Sequence, residues 1–282
     1  MTSPAPASSR RAVFLDVDGT YAHHGKVPDA HVDAVRAARR AGHVVLLCTG
    51  RPASLLPDAI TSAGFDGYVA GAGAYAELDG EVLLDTRFPA HLAARARAAL
   101  EAHGALYFLE APDATYAYPS AIETMQTYLP RRSVHSRAEE EGRKAVTSAL
   151  RPTEDLSDVV FGKITTFHAE TPLPEIAAEI GPEVSVIPSS IPDLGPGAGE
   201  MFLTGVHKAS GIVAVIERLG LAPEHVVAFG DGPNDFEMLE LAGTAVAIEG
   251  SSPALLALAD HVAAPPEQAG LAAAFAELGL LG

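Results

Sequence analysis

Short apolar runs alternate with segments of helical periodicity in the N-terminal part of the chain. The runs Ala12–Leu15, 43–48 and 68–69 are typical of strands, whereas 29–40 and 53–63 carry apolar side chains at helical spacing. This order of strand and helix predicts a parallel sheet with helices packed on it. In such sheets ligands bind beyond the carboxyl ends of the strands.

A second set of elements is predicted in the middle of the chain. Residues 75–84, with Asp79-Gly80 at the turn, predict a hairpin that leads out of the first sheet. The Pro- and Gly-rich stretch 191–199 predicts the return. Between them the apolar pattern predicts helices over 92–102, 137–150 and 174–180, and strands over 105–109, 159–167 and 184–187.

These patterns divide the chain into three parts. Residues 1–11 have no apolar segment and predict a disordered leader. Residues 12–85 and 201–282 are expected to form one discontinuous core. Residues 86–200 are expected to form an inserted α/β domain.

Composition and charge narrow the classes of function. With 282 residues, of which 48% are hydrophobic, the chain can bury a large core. The formal net charge of −17 disfavours nucleic acid and anionic membranes as partners. Cys48 is the single cysteine, so no intrachain disulfide can form, and no apolar run reaches the length of a membrane span. A cytoplasmic location is expected.

Two aspartates follow the first predicted strand. Asp16 and Asp18 lie two residues apart, and such residues in a strand point to the same face, so both carboxylates could serve one small site. Paired acids suit a magnesium ion and a phosphoryl group. The dipeptide Asp18-Gly19 is also common as a simple hairpin turn.

Three further segments carry polar groups where an apolar run ends or a helix begins. They are Thr49-Gly50-Arg51, Val206-His207-Lys208, and 230–235 with Asp231 and Asp235. Taken singly, Thr49 could cap a helix, Lys208 could be a solvated surface lysine, and 231–235 could be a polar turn.

In the order acid pair, hydroxyl, lysine, acid pair, these segments resemble the haloacid dehalogenase (HAD) superfamily of aspartate-nucleophile phosphatases. The connecting sequences 200–208 and 228–239 are similar to its Cof-type branch. The resemblance implies a Rossmann-like doubly wound parallel sheet with an inserted α/β type-2 cap domain. The long stretch between Arg51 and Lys208 would hold this cap, whose alternative is an independent domain without catalytic contact.

The resemblance also implies catalytic roles. Asp16 would be the nucleophile that forms an aspartyl-phosphate, and Asp18 would be the general acid and then the base. Mg²⁺ would be held by Asp16, Asp231 and the backbone carbonyl of Asp18. Thr49, Gly50 and Lys208 would bind the phosphate.

Four other residues are candidates for a supporting layer or for substrate contact. Asp235 is expected to orient Lys208 or water on the metal, and Asn234 to touch the metal shell or the substrate. Arg51 follows the pattern of the superfamily and could equally be structural. Lys163 is similar to a lysine of Cof-type caps and could face either substrate or solvent.

The expected function is a Mg²⁺-dependent phosphatase acting on a small phosphorylated metabolite. Sugar phosphates are the first candidates, followed by pyridoxal phosphate and flavin mononucleotide. The alternatives are a phosphotransferase or phosphomutase, and a non-catalytic regulatory protein that binds a phosphometabolite. Two positions depart from the superfamily pattern: Ala72 and Gly250 stand where many relatives carry asparagine.

Overall fold

The computed structural model of the protein describes residues 10–128, 148–189 and 194–282. Most of the predicted leader, most of the predicted helix over 137–150 and the start of the 191–199 stretch lie outside these residues. Within the described part of the chain, the strands form an eight-stranded and a six-stranded sheet.

The first sheet is mostly parallel. Its order is β14-β13-β12-β1-β2-β3-β4-β5, and the pairs from β14 to β3 are parallel while β3-β4 and β4-β5 are antiparallel. The strands are β1 Ala12–Leu15, β2 Val44–Cys48, β3 Gly67–Ala70, β4 Tyr75–Leu78, β5 Glu81–Asp85, β12 Val226–Gly230, β13 Thr244–Ile248 and β14 His261–Ala263.

Helices cover both faces of this sheet. Alternate residues of a strand point to opposite faces, so Val13 and Leu15 pack in one apolar core and Ala12 and Phe14 in another. The first core is shared with α1 (Asp29–Arg40) and α9 (Gly270–Glu277), and the second with α6 (Lys208–Leu219), α7 (Phe236–Leu241) and α8 (Pro253–Leu258).

The second sheet is mostly antiparallel and has the order β10-β11-β9-β6-β7-β8. Helices α3 and α5 share one apolar core with it. The elements are α3 Ala90–Ala102, β6 Leu106–Glu110, β7 Thr115–Ala117, α4 Pro119–Tyr128, β8 Leu150–Pro152, β9 Lys163–His168, α5 Leu173–Ile180, β10 Val184–Pro188 and β11 Gly199–Leu203.

The predicted fold class, a doubly wound α/β sheet with an inserted α/β unit, is confirmed. One predicted helix is wrong in extent: residues 53–63 form a short 3-10 turn at Ala53–Leu55 and α2 at Asp58–Thr61. Pro57 separates the two, because proline lacks the N–H that a continuous helix would need there. The predicted boundary between residues 200 and 201 falls inside β11, which belongs to the second sheet.

Candidate active site

The segment that follows β1 turns sharply at the carboxyl edge of the first sheet. The Asp16 N–H still donates to Phe229 O of β12 at 2.9 Å, and the Ala22 N–H then donates back to Val17 O at 2.8 Å. The turn gives its two acids different surroundings: the Asp16 side chain is 10% exposed and that of Asp18 is 53% exposed.

Lys208 is the first residue of α6 and is buried at the same carboxyl edge of the first sheet. Its Nζ lies 2.5 Å from Asp16 Oδ1 and 2.5 Å from Asp235 Oδ1. A buried ammonium is costly unless it is paired, and here two carboxylates accept from it. The lysine is therefore fixed between the ends of β1 and β12.

The charges of this cluster do not balance, because one ammonium faces several carboxylates. Burial raises the pKa of Asp16 to about 8; the Lys208 charge opposes this shift, and Asp235 and Asp231 add to it. Burial alone would lower the pKa of Lys208, but Asp16 and Asp235 outweigh it and raise that pKa. An additional cation at this edge would relieve the repulsion between the acids.

Oxygen ligands for such a cation are close together. Among the described residues, Asp16, Asp231 and Asp235 each offer a carboxylate oxygen, and these atoms lie within 4.8 Å of one another. Asp231 Oδ1 also accepts from the Thr20 hydroxyl at 2.6 Å. An all-oxygen donor set with excess negative charge fits a hard divalent cation such as Mg²⁺.

Asp235 differs from the other two acids because both of its oxygens are occupied by protein donors. Oδ1 accepts from Lys208, and Oδ2 accepts from the N–H groups of Asp231 at 2.9 Å and Gly232 at 2.8 Å. The side chain thus holds the loop that carries Asp231 and, at the same time, holds the lysine.

The loop after β2 closes the site from the other side. Thr49 is buried, and its hydroxyl oxygen accepts from the Arg51 N–H at 3.2 Å, which leaves its proton free for another acceptor. Arg51 donates from Nε and Nη2 to the two oxygens of Asp18. Asn234 faces this loop, with Nδ2 lying 3.5 Å from where a Gly50 Cβ would be.

Lys163 reaches the same loop from the second sheet. Its Nζ donates to Gly50 O at 2.7 Å and lies 2.8 Å from Glu200 Oε1 and 3.1 Å from Glu110 Oε2. Of the two predicted positions for this lysine, exposure to solvent is excluded, since its side chain is 3% exposed.

Three residues near the site escaped the sequence reasoning. Thr20 had a usable signal, because it is the hydroxyl residue directly after the Asp-x-Asp-Gly turn. Glu110 and Glu200 had none, since they lie far from Lys163 in the chain and meet it only through the pairing of β6, β9 and β11.

The fold and this site define an α/β enzyme whose acidic centre lies at the carboxyl edge of a parallel sheet. The chain belongs to the haloacid dehalogenase-like hydrolases, whose family model matches residues 13–275. The predicted superfamily is thereby confirmed. In the part of the chain that the structure describes, no helix has the length and apolar character needed to cross a membrane.

Relatives and solved structures resemble the chain over part or nearly all of its length. A Bacillus subtilis (strain 168) protein named "Putative phosphatase YkrA" is 28% identical over 276 residues, which cover 96% of this chain and 98% of that protein. The Escherichia coli (strain K12) 5-amino-6-(5-phospho-D-ribitylamino)uracil phosphatase YbjI is 30% identical over 118 residues, covering 42% of this chain and 43% of that protein. The solved structure of the HAD subclass IIB sugar phosphatase BT4131 has a TM-score of 0.77 and 23% identity, covering 96% of this chain and 99% of that one.

Proposed function

We propose that the protein is a Mg²⁺-dependent phosphatase that hydrolyses a small phosphomonoester through an aspartyl-phosphate. The observation that carries this proposal is the placement of Asp16, whose carboxylate contacts the Lys208 ammonium and lies within 4.8 Å of an Asp231 oxygen. A nucleophile between a fixed positive charge and a second acid suits attack on an anionic phosphoryl group.

In the first step, an Asp16 oxygen attacks phosphorus and the bond from phosphorus to the ester oxygen breaks. The leaving alkoxide takes a proton from Asp18, whose half-exposed side chain lies at the mouth of the site. Lys208 and the Thr49 hydroxyl supply positive charge and a hydrogen bond to the phosphoryl oxygens.

In the second step, a water molecule attacks the phosphorus of the aspartyl-phosphate. Asp18, now a carboxylate, takes a proton from this water, and the bond between Asp16 and phosphorus breaks to release inorganic phosphate. The same residue thus serves as acid and then as base, and this role requires a side chain that the leaving group and water can both reach.

The metal would be held by Asp16, Asp231 and the backbone carbonyl of Asp18. When bound, it offsets the repulsion between the Asp16 carboxylate and the phosphate. Asp235 is assigned to orienting Lys208 and the Asp231 loop, because both of its oxygens already accept from the protein.

A sugar phosphate is the first candidate for the substrate. The name of the compared structure BT4131 supports this class, and the name of YbjI adds a phosphorylated ribityl compound. Pyridoxal phosphate and flavin mononucleotide follow. A cytoplasmic location is consistent with small phosphorylated metabolites as substrates.

Phosphate release from a panel of these compounds, with Mg²⁺ and with EDTA, tests the proposal. Wild type is expected to release phosphate only with the metal. Asp16→Asn, which removes the nucleophile but little volume, is expected to stay folded and to lose turnover by at least roughly 10³-fold. Asp29→Asn, at an exposed position in the first turn of α1, is the matched control. Near-wild-type release by Asp16→Asn would exclude the mechanism.

A further inference from the structure

A lysine of the second sheet donates a hydrogen bond to the loop that follows β2 of the first sheet. Lys163 begins β9, yet its Nζ donates to Gly50 O in the loop after β2 at 2.7 Å. The whole residue is 2% exposed. Carrying an ammonium to this depth costs free energy, so a buried lysine requires acceptors for its charge.

Two glutamates form ion pairs with this lysine. Glu200 Oε1 and Glu110 Oε2 lie 2.8 Å and 3.1 Å from Nζ, and Glu110 Oε1 also accepts from the Thr165 hydroxyl at 2.5 Å. Burial would lower the pKa of Lys163, but Glu110 and Glu200 outweigh it and raise that pKa to about 12. The lysine therefore stays charged, and one backbone carbonyl and two carboxyl groups have oxygens within 3.1 Å of its Nζ.

The contact with Gly50 acts on one peptide group. Gly50 C=O and Arg51 N–H belong to the same planar unit, so fixing the oxygen also fixes the direction of the N–H. That N–H donates to Thr49 Oγ1 at 3.2 Å. A hydroxyl that accepts from a fixed donor keeps its own proton for another acceptor.

We propose that Lys163 is a positioning residue that holds the Gly50–Arg51 peptide from the second sheet and thereby directs the Thr49 hydroxyl toward the phosphate. This inference rests on the proposed function, because it takes Thr49 as a phosphate ligand. It replaces direct contact between Lys163 and the substrate, because the buried Nζ already donates to Gly50 O and Glu200 Oε1 and forms an ion pair with Glu110 Oε2.

A double-mutant cycle between Lys163→Met and Thr49→Val tests the inference. The measured quantities are the dissociation constant of inorganic phosphate, obtained by calorimetry, and kcat and KM for 4-nitrophenyl phosphate. Lys163→Met is expected to weaken phosphate binding and raise KM about tenfold, the size of one hydrogen bond to an anion. In the Thr49→Val background it is expected to change neither value by more than about twofold.

Removing Lys163 leaves the buried Glu110 without its ion-pair partner, so a companion variant is needed. Lys163→Met with Glu110→Gln removes one charge of each sign and is expected to fold with the same loss of phosphate affinity. Arg95→Met is the matched control, because Arg95 also belongs to the inserted α/β unit, in α3, where it donates to Glu183 Oε2 at 3.1 Å. Its phosphate affinity should equal that of wild type.

The outcomes separate the two proposals. An equal loss from Lys163→Met in both backgrounds would overturn the positioning role, as would an unchanged phosphate affinity in the folded companion variant. A wild type that releases no phosphate would overturn the proposed function, and the cycle in phosphate affinity would still decide the role of Lys163.

Discussion

Arg51 binds both carboxylate oxygens of Asp18, with Nε 2.8 Å from Oδ2 and Nη2 2.6 Å from Oδ1. The two side chains are 30% and 53% exposed, so solvent screens the pair and it contributes little to stability. Its consequence is geometric. A bidentate contact fixes the plane of the carboxylate that we assign to proton transfer.

Arg51→Ala should therefore affect substrates according to their leaving groups. An alkoxide needs a proton as it leaves, whereas 4-nitrophenolate does not, so a misplaced Asp18 slows the first step only for the alkyl substrate. Hydrolysis of the aspartyl-phosphate is common to both substrates, so the comparison uses kcat/KM, which reports the first step. We expect kcat/KM for an alkyl phosphate to fall at least tenfold, within the roughly 10²–10⁴-fold range of general acid catalysis, while kcat/KM for 4-nitrophenyl phosphate changes by less than about threefold. Steady-state kinetics with both substrates measure this.

Arg218→Ala, which breaks a surface pair with Glu81, is the control and should leave both substrates unaffected. Equal losses of kcat/KM on the alkyl and the aryl substrate would instead assign Arg51 to the phosphate itself.

The order of strands and helices along the chain predicts much of this site, but it does not predict the side-chain contacts between the segments. Asp16, Thr49 and Asp231 directly follow strands, and parallel strands bring their carboxyl ends to one edge, so their proximity follows from the alternation of elements. The pairing of Arg51 with Asp18 and the glutamates around Lys163 do not follow from it, because those contacts depend on side-chain directions and on the register of the second sheet.

Ala72 has a left-handed backbone conformation, which glycine adopts more readily than alanine. Its φ of 56° lies in the left-handed region, and its N–H donates to Thr49 O at 3.1 Å. The side chain of an L-residue costs about 1–2 kcal/mol there, and glycine avoids this cost while losing more entropy on folding. Ala72→Gly should raise the free energy of unfolding by about 0.5–1 kcal/mol and the melting temperature by about 1–3 °C.

Ala74→Gly is the matched control for this substitution. Ala74 is also buried but has a φ of −72°, so glycine relieves no strain there and should lower the melting temperature. If both variants lose stability equally, the strain at Ala72 is absent in solution.

His31 should make the fold sensitive to mild acid. Its ring is buried, Nδ1 lies 2.9 Å from Tyr21 O, and Nε2 has no hydrogen-bond partner among the described residues. Burial lowers the pKa of His31, and the hydrogen bond to Tyr21 O offsets this only in part. Below the pKa of about 6.5 that histidine has in the unfolded chain, the unfolded chain therefore binds a proton that the folded chain does not. The free energy of unfolding thus decreases as the pH is lowered from about 6.5 toward the pKa of His31 in the folded protein.

Urea unfolding at pH 7.5 and 5.5, for wild type and His31→Asn, measures this effect. Asparagine keeps a donor near the position of Nδ1 and does not titrate. On lowering the pH, the free energy of unfolding of wild type should fall more steeply than that of the variant, by up to about 1.4 kcal/mol per pH unit. Identical slopes would show that His31 does not titrate in this range. Burial lowers the pKa of His43 as well, but that contribution is common to both proteins and cancels.

Gly19 and Gly42 offer a comparison that isolates the position of Asp231. Their φ values are 95° and 97°, so a methyl group strains the backbone equally at both. In the part of the chain that the structure describes, a Cβ on Gly42 would meet nothing within 4 Å, whereas one on Gly19 would overlap the carboxylate of Asp231. Gly19→Ala must therefore displace this side chain and the Thr20 hydroxyl bound to it, in addition to the shared strain.

Both alanine variants should unfold more easily by about 1–2 kcal/mol, as left-handed backbone strain predicts. Gly42→Ala should retain wild-type phosphate release, because its strain lies at the end of α1, away from the acids. Gly19→Ala should lose at least tenfold in kcat and require a higher Mg²⁺ concentration for half-maximal release, since Asp231 can no longer reach the site of the metal. If the two variants matched in Mg²⁺ dependence, Asp231 would not be a metal ligand, and the acidic cluster would need another role.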